Sequence, residues 1–461
     1  MKLYNTLSHT VEDFIPYDKE NVKMYTCGPT VYHYAHIGNM RNYIGHDVLE
    51  KSLNYLGYHV TRAMNITDVG HLSSDSDSGE DKMVKSAEKE HKSVLDIAAF
   101  YTEAFKNDCK LLNIKWPEIV VPATNEIDMY IKIITKLLDT GYAYIAGGNV
   151  YFDTTKLKDY YVLTNHKEDD MVVGVRDGVE FDNSKKSQND FVLWFTKSKF
   201  SDQELKWNSP WGYGYPGWHI ECSGISIKYL GEQLDIHGGG VDNIFPHHTN
   251  EIAQSESYLG HKWCKYWFHN EHLNDEDGKM SKSKGAVLSA SVLKEKGYNP
   301  LAFRYMCLQS HYRRQLVFSY SSLDQAQNAY NKLLNRVSSL HDGEYDQNAF
   351  NTWNERFKEC LSDDLNTANA MTVLYDLLKS VEDEALKYNL VREFDKVLSL
   401  DLLKEKKMDS ELESYIEEMI NKRNEAKQNK NYVLADQIRE ELKEKGIVLK
   451  DTREGTIYEV N

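Results

Sequence analysis

The first clear alternation of apolar and polar positions in the chain predicts a strand, a loop and a helix. Val22–Thr26 has the pattern of a short strand, and Gly28 and Pro29 end it. A helical period then runs to Gly57. Its apolar positions are Ile44, Val48, Leu49, Leu53 and Leu56. A second strand over residues 58–64 completes a β-α-β unit, which predicts a parallel sheet with ligands at the carboxyl ends of its strands.

Similar patterns divide the rest of the chain. Residues 93–112 and 126–138 have helical spacing, and residues 149–153 and 191–195 have the pattern of strands. We interpret residues from about 115 to 215 as an insertion between two halves of a nucleotide-binding fold. Beyond residue 300 the pattern is predominantly helical. In this part of the chain we expect helices at residues 323–340, 357–361, 370–386, 412–427 and 432–445.

Composition narrows the class of protein. The 461 residues are 41% apolar and contain no apolar run long enough to span a bilayer, which predicts a soluble chain of several domains. The first residues lack an apolar signal core, so we expect a cytoplasmic protein without membrane contact. Six scattered cysteines indicate free thiols or metal ligands and not a disulfide framework. The net charge of −16 argues against non-specific binding of polyanions, so any nucleic-acid contact needs a local basic face.

Two stretches suggest nucleotide binding. His36 and Gly38 lie where the first predicted helix begins, and a helix N-terminus has unpaired N–H groups that attract phosphate. Gly238, Gly239 and Gly240 follow a short apolar strand, where a planar or anionic group could approach the backbone. Asp242 could then accept a hydrogen bond from a ribose hydroxyl. A solvated turn at the first stretch and a flexible turn at the second are the alternatives.

Four scattered residues have the chemistry of zinc ligands. Cys27 and Cys222 are each expected just past a strand, and His247 and Glu251 are spaced to share one face of a helix. Thiolate, imidazole and carboxylate groups all bind zinc, and four of them form a tetrahedral site. The chain has no Cys-x-x-Cys pair to support this interpretation, and His248 is a rival ligand, three residues before Glu251.

A loop rich in lysine and serine forms the third candidate region. It includes Lys279, Ser281, Lys282, Ser283 and Lys284. Lysine ammonium groups on such a loop could neutralise the charge that builds up on a triphosphate, and the serines could donate to the same oxygens. A basic solvated loop is the more ordinary interpretation.

The segment His36-Ile-Gly-Asn39 resembles the His-Ile-Gly-His signature of class I aminoacyl-tRNA synthetases, and Lys279-Met-Ser-Lys-Ser283 resembles their second signature. Other motifs narrow the resemblance to the cysteinyl-tRNA synthetase family. They are Cys27-Gly-Pro-Thr-Val-Tyr, Gly217-Trp-His-Ile-Glu-Cys-Ser, Asp235-Ile-His-Gly-Gly-Gly and Phe245-Pro-His-His. Further similarity reaches the end of the chain, at Asp363-Asp-Leu-Asn-Thr367, Ala435-Asp-Gln-Ile-Arg439 and Gly455-Thr456.

The resemblance implies a function for most of these residues. It assigns the zinc ligands to Cys27, Cys222, His247 and Glu251, and so selects the first histidine of the pair. It places Thr67 and Trp218 near the amino acid, and it assigns ATP binding to His36, Gly38, Gly238, Gly239, Gly240, Asp242 and Lys282. It implies that the catalytic residues are His36, Asn39, Lys279 and Lys282.

The implied reaction joins L-cysteine to the 3′ end of tRNA(Cys), with ATP and Mg²⁺ as substrate and one Zn²⁺ per chain. A zinc-bound thiolate would select cysteine over serine without an editing domain, and a monomer is expected. The implied fold is α/β, a Rossmann-like parallel-sheet catalytic domain with an insertion, followed by α-helical C-terminal domains. The predicted parts are residues 1–114 and 216–325 (catalytic halves), 115–215 (insertion), 326–405 (helical bundle) and 406–461 (anticodon binding).

Two departures from the family pattern stand out. Asn39 replaces the second signature histidine, and an amide can donate a hydrogen bond to phosphate but cannot become cationic. Val69-Gly-His71 stands where many members carry further acidic residues. Two other functions remain as alternatives. One is a cysteine ligase with a small amine acceptor, against which residues 340–461 count; the other is a zinc-stabilised RNA-binding protein, which leaves the lysine and serine loop unexplained.

Overall fold

The computed structural model describes residues 1–69, 93–164, 184–197, 205–275, 278–279, 287–404, 410–445, 447–452 and 455–460. The chain forms two compact units, residues 1–403 and 404–461. No helix among the described residues combines the length and the apolar character that crossing a membrane requires.

The first unit contains fifteen described strands and eleven described α-helices, besides short 3₁₀ and π segments. The strands are β1 (Lys2–Asn5), β2 (Thr10–Asp13), β3 (Val22–Thr26), β4 (Val60–Ile66), β5 (Ile119–Pro122), β6 (Ala143–Ala146), β7 (Asn149–Phe152), β8 (Phe191–Phe195), β9 (Trp207–Ser209), β10 (Gly212–Pro216), β11 (Leu234–Gly240), β12 (Cys264–Asn270), β13 (Leu273–Asp275), β14 (Gly278–Lys279) and β15 (Leu316–Val317). The helices are α1 (Ile37–Tyr55), α2 (Val94–Leu111), α3 (Ile127–Asp139), α4 (Trp218–Leu230), α5 (Thr249–Leu259), α6 (Ala290–Glu295), α7 (Pro300–Leu308), α8 (Tyr320–Val337), α9 (Gln347–Ser362), α10 (Thr367–Ser380) and α11 (Glu384–Leu398).

A five-stranded sheet in the order β12-β11-β3-β4-β5 forms the centre of the first unit, and all of its strands are parallel. Consecutive residues of β4 face opposite sides: Met64 packs in the apolar cluster with α1 and α2, and Ala63 in the cluster with α3 and α4. The predicted Rossmann-like sheet is therefore confirmed, as is the first strand. Helix α1 ends at Tyr55, shortly before Gly57 with its positive φ of 87°.

A second five-stranded sheet, with the order β6-β7-β8-β10-β9, is antiparallel and lies between β5 and β11 in the sequence. Strand β5 falls inside the range predicted for the insertion, yet it pairs with β4 in the parallel sheet. The antiparallel sheet accordingly starts at Ala143, after α3. Its strands β7 and β8 are buried, and Val150 and Leu193 belong to the apolar cluster that includes residues of α3 and α4.

Arg304, a fully buried residue of α7, connects the nucleotide-binding half to the helices that follow it. Its guanidinium donates to Asp47 Oδ2 of α1 (2.7 Å), to the Leu398 carbonyl at the end of α11 (2.7 Å) and to the Leu112 carbonyl after α2 (3.0 Å). A buried charge is tolerated only when it is paired and hydrogen-bonded, and Arg304 meets both conditions. Through Arg304, α1 is therefore connected to α7 and to the end of α11.

The second unit consists of α12 (Ser410–Gln428), α13 (Tyr432–Glu444) and an antiparallel hairpin of β16 (Ile447–Thr452) and β17 (Gly455–Val460). Its core includes Ile416, Leu442 and Leu449. The two helices agree with the periodicity. The hairpin over Ile447–Thr452 and Gly455–Val460 was not predicted from the predominantly helical pattern of this part of the chain.

Candidate active site and metal centre

Cys27, Cys222, His247 and Glu251 meet at the carboxyl edge of the parallel sheet. Their potential ligand atoms all lie within 4.8 Å of one another, and all four residues are buried. Cys27 directly follows β3, as predicted, and its amide donates to the Gly238 carbonyl at 3.1 Å. Cys222 does not follow a strand: it lies in the second turn of α4, because β10 already ends at Pro216. That part of the prediction is wrong, although the thiol still reaches the cluster.

The distances within this group fit a tetrahedral metal site. Zinc bonds of about 2.3 Å to sulfur and about 2.0 Å to nitrogen or oxygen imply separations of roughly 3.8 Å between two sulfurs and roughly 3.5 Å between sulfur and nitrogen. The two Sγ atoms are 3.8 Å apart, and Cys222 Sγ is 3.6 Å from His247 Nε2. Glu251 Oε1 lies 3.0 Å from His247 Nε2 and accepts no hydrogen bond among the described residues. The residues present therefore suit a soft divalent metal ion.

A second group of Cys27, His237, His248 and Glu251 lies in the same place. His248 Nε2 is 3.2 Å from Cys27 Sγ, and His237 Nε2 is 2.8 Å from Glu251 Oε2. The His237–Glu251 separation is well below the roughly 3.3 Å that two nitrogen or oxygen ligands of one zinc ion keep, and it matches a hydrogen bond to a carboxylate. The first group, whose two sulfurs are 3.8 Å apart, therefore suits the metal better as a whole, and His237 and His248 can serve as supporting donors.

A set of buried imidazoles surrounds the cluster. His219 Nδ1 is 2.9 Å from His247 Nδ1, His269 Nε2 is 2.8 Å from His248 Nδ1, and Thr6 Oγ1 is 2.7 Å from His269 Nδ1. Burial lowers the pKa of His219 and of His269 to about 3, so both rings are neutral at physiological pH. The bonded Nδ1 of His247 leaves its Nε2 directed at the cluster, which is the arrangement typical of metal-ligating histidines.

Burial also raises the pKa of the Cys27 and Cys222 thiols and raises that of the Glu251 carboxyl well above its ordinary range. These groups lose a proton only when a positive charge compensates them, and a divalent metal ion supplies such a charge. The neutral imidazoles cannot provide it. The electrostatics of the pocket therefore agree with the distances.

The nucleotide signature forms the first turn of α1. His36 is the N-cap: its Nδ1 accepts from the Asn39 amide at 3.1 Å, while Asn39 Oδ1 accepts from the His36 amide at 3.3 Å. Because this capping box uses the oxygen of Asn39, the Nδ2 amide is the end that can donate to a phosphate. A Cβ on Gly38 would lie 2.9 Å from the His36 ring, so the glycine lets the ring fold back over the helix.

The glycine run of β11 makes room for side chains of the protein itself at two of its positions. Its predicted contact with ATP remains a prediction. A Cβ at Gly238 would lie 2.9 Å from His46 Nε2, and a Cβ at Gly239 would lie 2.6 Å from the His248 ring. Imidazoles of the protein itself thus occupy the space that these two glycines provide. Gly240 has more open surroundings, and Asp242 lies in the short turn after it, with Oδ1 3.4 Å from His272 Nε2.

Thr67 and Trp218, the residues implied for amino-acid binding, both adjoin the cluster. The Trp218 ring stacks on His247 with centroids 4.0 Å apart. Thr67 Oγ1 donates to Glu221 Oε2 at 2.6 Å and accepts from Asn65 Nδ2 at 2.9 Å. Asn65 in turn accepts from the Gly28 amide at 2.7 Å, so this network connects Thr67 to the loop after Cys27.

Lys282 lies outside the described residues, together with Ser281, Ser283 and Lys284. Only the backbone of Lys279 is described, and it pairs with Asn274 in the short β13–β14 hairpin. The segment after the loop is anchored at the active site, because the Ile37 amide donates to the Leu288 carbonyl at 2.8 Å. The predicted roles of both lysines remain predictions.

Sequence reasoning missed Glu221, Asn65, His219 and His269. Each is buried at the site. A signal existed for Glu221, since a carboxylate between Ile220 and Cys222 in an otherwise apolar helical segment must have a buried partner. No comparable signal existed for His269, whose partners His248 and Thr6 are distant in sequence.

Comparison with known proteins agrees with this arrangement. Residues 13–328 match the family described as tRNA synthetases class I (C) catalytic domain, and residues 356–404 match the DALR domain. A cysteine–tRNA ligase of Treponema denticola is 46% identical, over 98% of this chain and 98% of the relative. A cysteine–tRNA ligase of Borreliella burgdorferi is 42% identical, over 99% of this chain and 98% of the relative.

Among solved structures, the chain is similar in fold to Mycobacterium tuberculosis methionyl-tRNA synthetase bound by methionyl-adenylate. The TM-score is 0.54 at 14% sequence identity, and the superposition covers 83% of this chain and 90% of that chain. At this identity the likeness concerns the fold alone.

Proposed function

Since the chain belongs to the cysteine–tRNA ligases, a family of class I aminoacyl-tRNA synthetases, we propose that it activates L-cysteine with ATP and transfers the cysteinyl group to the 3′ end of tRNA(Cys). The family resemblance expected from the two signatures is confirmed by these matches. The observation that supports the amino-acid assignment is the buried cluster of Cys27, Cys222, His247 and Glu251. Translation takes place in the cytoplasm, which is where we place the protein.

In the first step a carboxylate oxygen of cysteine attacks the α-phosphorus of ATP, and the bond to the β-phosphate oxygen breaks to release pyrophosphate. The nucleophile is already ionised, so no residue has to act as a general base. Catalysis then consists of positioning and of stabilising the charge on the phosphates. We assign these tasks to His36, Asn39, the backbone near Gly38, Lys279 and Lys282, with ATP bound as its Mg²⁺ complex.

In the second step a ribose hydroxyl of the terminal tRNA nucleotide attacks the carbonyl carbon of the cysteinyl-adenylate. The bond between the acyl group and phosphate breaks, AMP leaves, and the hydroxyl proton passes to the phosphate or to solvent. Asp242 and the open backbone at Gly240 would hold the adenosine throughout both steps, which keeps the acyl carbon in place for the incoming hydroxyl.

We propose that Cys27, Cys222, His247 and Glu251 hold one Zn²⁺. Bound there, zinc would accept the substrate thiolate as a further ligand and so favour sulfur over the hydroxyl of serine. Shape alone cannot do this, because serine is smaller than cysteine and a pocket separates single-group differences by only about 10- to 200-fold. Trp218 would form one wall of the cysteine pocket through its stacking on His247. Thr67, held by Glu221 and Asn65, would orient the amino acid from the strand side.

Two assays on the purified full-length protein test the proposal. Cysteine-dependent exchange of pyrophosphate into ATP reports the first step, and attachment of cysteine to purified tRNA reports the second. We expect both activities. Exchange without charging would instead support a cysteine ligase with a small acceptor, and the absence of exchange would reject adenylate chemistry altogether.

A further inference from the structure

Four aromatic rings form a cluster directly upstream of the nucleotide signature. Tyr34 and Phe100 are its outer members, with 38% and 44% of their surfaces exposed, and their centroids are 6.1 Å apart. Tyr101 lies beneath them, 5.0 Å from Tyr34 and 5.1 Å from Phe100, and its ring stacks on His33. Tyr101 is buried and packs edge-on against both outer rings. Leu95, which is also exposed, extends the apolar surface along α2.

The position of this cluster is set by the fold. Helices α1 and α2 both start at the carboxyl edge of the parallel sheet, because each follows a strand of that sheet and returns along its face. They pack together through Tyr43 and Phe105, whose centroids are 4.7 Å apart. Tyr34 precedes the N-cap His36 by two residues, so the cluster borders the pocket in which the adenylate forms.

In the second step of the reaction, the 3′ end of the tRNA has to reach the pocket that the aromatic cluster borders. The terminal ribose of tRNA must reach the acyl carbon, so the unpaired nucleotides next to it have to cross the rim of the pocket. Unpaired bases stack on exposed aromatic rings, which strengthens binding by roughly 5- to 150-fold for each base. Asp96 is exposed one turn before Phe100, and its charge disfavours a contact through the phosphates at this point, whereas Glu103 is paired with Lys106.

We propose that Tyr34 and Phe100 form a stacking surface for unpaired bases at the 3′ end of the tRNA. The inference rests on the proposed function, since only a charging enzyme must bring a nucleic-acid end to the adenylate. Tyr101 is a positioning residue of this surface. The contact forms after adenylate synthesis, so it contributes to transfer and not to the first step.

Substitutions of Tyr34 and Phe100 distinguish stacking of tRNA bases from simple apolar contact. In Tyr34→Leu and Phe100→Leu the side chains stay large and apolar but lose their aromatic faces, whereas Tyr34→Phe keeps the face and removes only the hydroxyl. Tyr213→Leu, in β10 and 60% exposed, is the distant control. We expect each of the first two to lower kcat/KM for tRNA by about 5- to 150-fold, while cysteine-dependent pyrophosphate exchange stays within about twofold of wild type. Tyr34→Phe and Tyr213→Leu should charge tRNA normally.

A truncated tRNA that lacks its unpaired 3′ nucleotides locates the contact. Wild type and the double variant Tyr34→Leu/Phe100→Leu should bind it equally, although they differ in affinity for intact tRNA. Normal charging by the leucine variants, an equal loss of pyrophosphate exchange, or a binding defect that persists with truncated tRNA would each overturn the inference. The wild-type assay distinguishes the two claims. If the leucine variants charge tRNA as well as wild type does, only the stacking surface is rejected. If the wild type charges no tRNA, the proposed function is rejected.

Discussion

Cys27 Sγ and Cys222 Sγ lie 3.8 Å apart, although 195 positions separate the two residues in the chain. One thiol follows the central strand β3, and the other projects from α4, the helix that leads into β11. Strands β3 and β11 are neighbours in the parallel sheet, so the fold itself brings the thiols together. The inserted sheet lies between them in sequence and supplies neither thiol.

Replacing Cys222 with serine should remove both metal and selectivity. A hydroxyl is a poor substitute for a thiolate ligand, so we expect zinc affinity to fall by more than the roughly 10- to 100-fold that loss of an outer hydrogen-bond partner costs. The preference for cysteine over serine in pyrophosphate exchange should fall to the range that shape alone provides, about 10- to 200-fold. Cys264→Ser is the matched control, since Cys264 is buried but belongs to neither metal-binding group. Retained selectivity in Cys222→Ser would refute the role of the metal.

Lys282→Ala should slow adenylate formation by about 100- to 1,000-fold, because a positioned charge that stabilises a transition state contributes about that much. The affinity for cysteine should change little, since the lysine is assigned to the phosphates. Stopped-flow measurement of adenylate formation and equilibrium binding of cysteine separate the two effects. Lys284→Ala, in the same loop, tests whether the loss is specific to Lys282. Unchanged rates in Lys282→Ala would remove this residue from catalysis.

Thr67→Val keeps the shape of the side chain but leaves Glu221 Oε2 without its hydroxyl donor and Asn65 Nδ2 without its acceptor. Each unsatisfied buried group costs about 1–3 kcal/mol, so the free energy of unfolding in urea should fall by at least about that amount. The KM for cysteine should rise as well, because Thr67 would no longer be held against the pocket. Thr67→Ser keeps the hydroxyl and should behave like wild type in both measurements. Equal KM values for the valine variant and wild type would leave Thr67 with a structural role alone.

The ion pair of Asp47 and Lys51 within α1 predicts an effect of pH on stability. Burial, reinforced by Arg304, lowers the pKa of Lys51 to about 8, even though Asp47 lies 2.8 Å away. Between pH 8 and about 10.5 the unfolded chain holds a proton that the folded lysine has lost, so this group adds to stability as pH rises. The unfolding free energy of wild type relative to Lys51→Met should therefore increase by about 1.4 kcal/mol per pH unit over this window. Parallel curves for the two proteins would contradict the lowered pKa.

The fold was predictable where the pattern is local. Val22–Thr26 and α1 follow from alternation, helical period and the stop at Gly57, which depend on neighbouring residues only. Strand β5 was assigned to the insertion because four residues carry little signal, and its place in the sheet depends on a long-range pairing with β4. The C-terminal hairpin was not predicted either, although its two strands have six residues each and pair locally.

The candidate site also has a part that the local sequence predicts and a part that it does not. The chemistry of Cys27, Cys222, His247 and Glu251 could be read from residue type, but the choice between His247 and His248 needed the family resemblance. The distances agree with that choice, since Cys222 Sγ and His247 Nε2, 3.6 Å apart, keep the separation of two zinc ligands. The surroundings of the glycine run could not be predicted from the sequence. His46 and His248, whose rings fill the space beside it, belong to other elements of the fold.

The metal content of active, purified protein tests the central claim most directly. Mass spectrometry of the metal, combined with cysteine-dependent pyrophosphate exchange on the same sample, should give one zinc per chain, with exchange lost when a chelator removes the metal and restored when zinc is added. Full cysteine-dependent exchange by protein that contains no zinc would contradict the account.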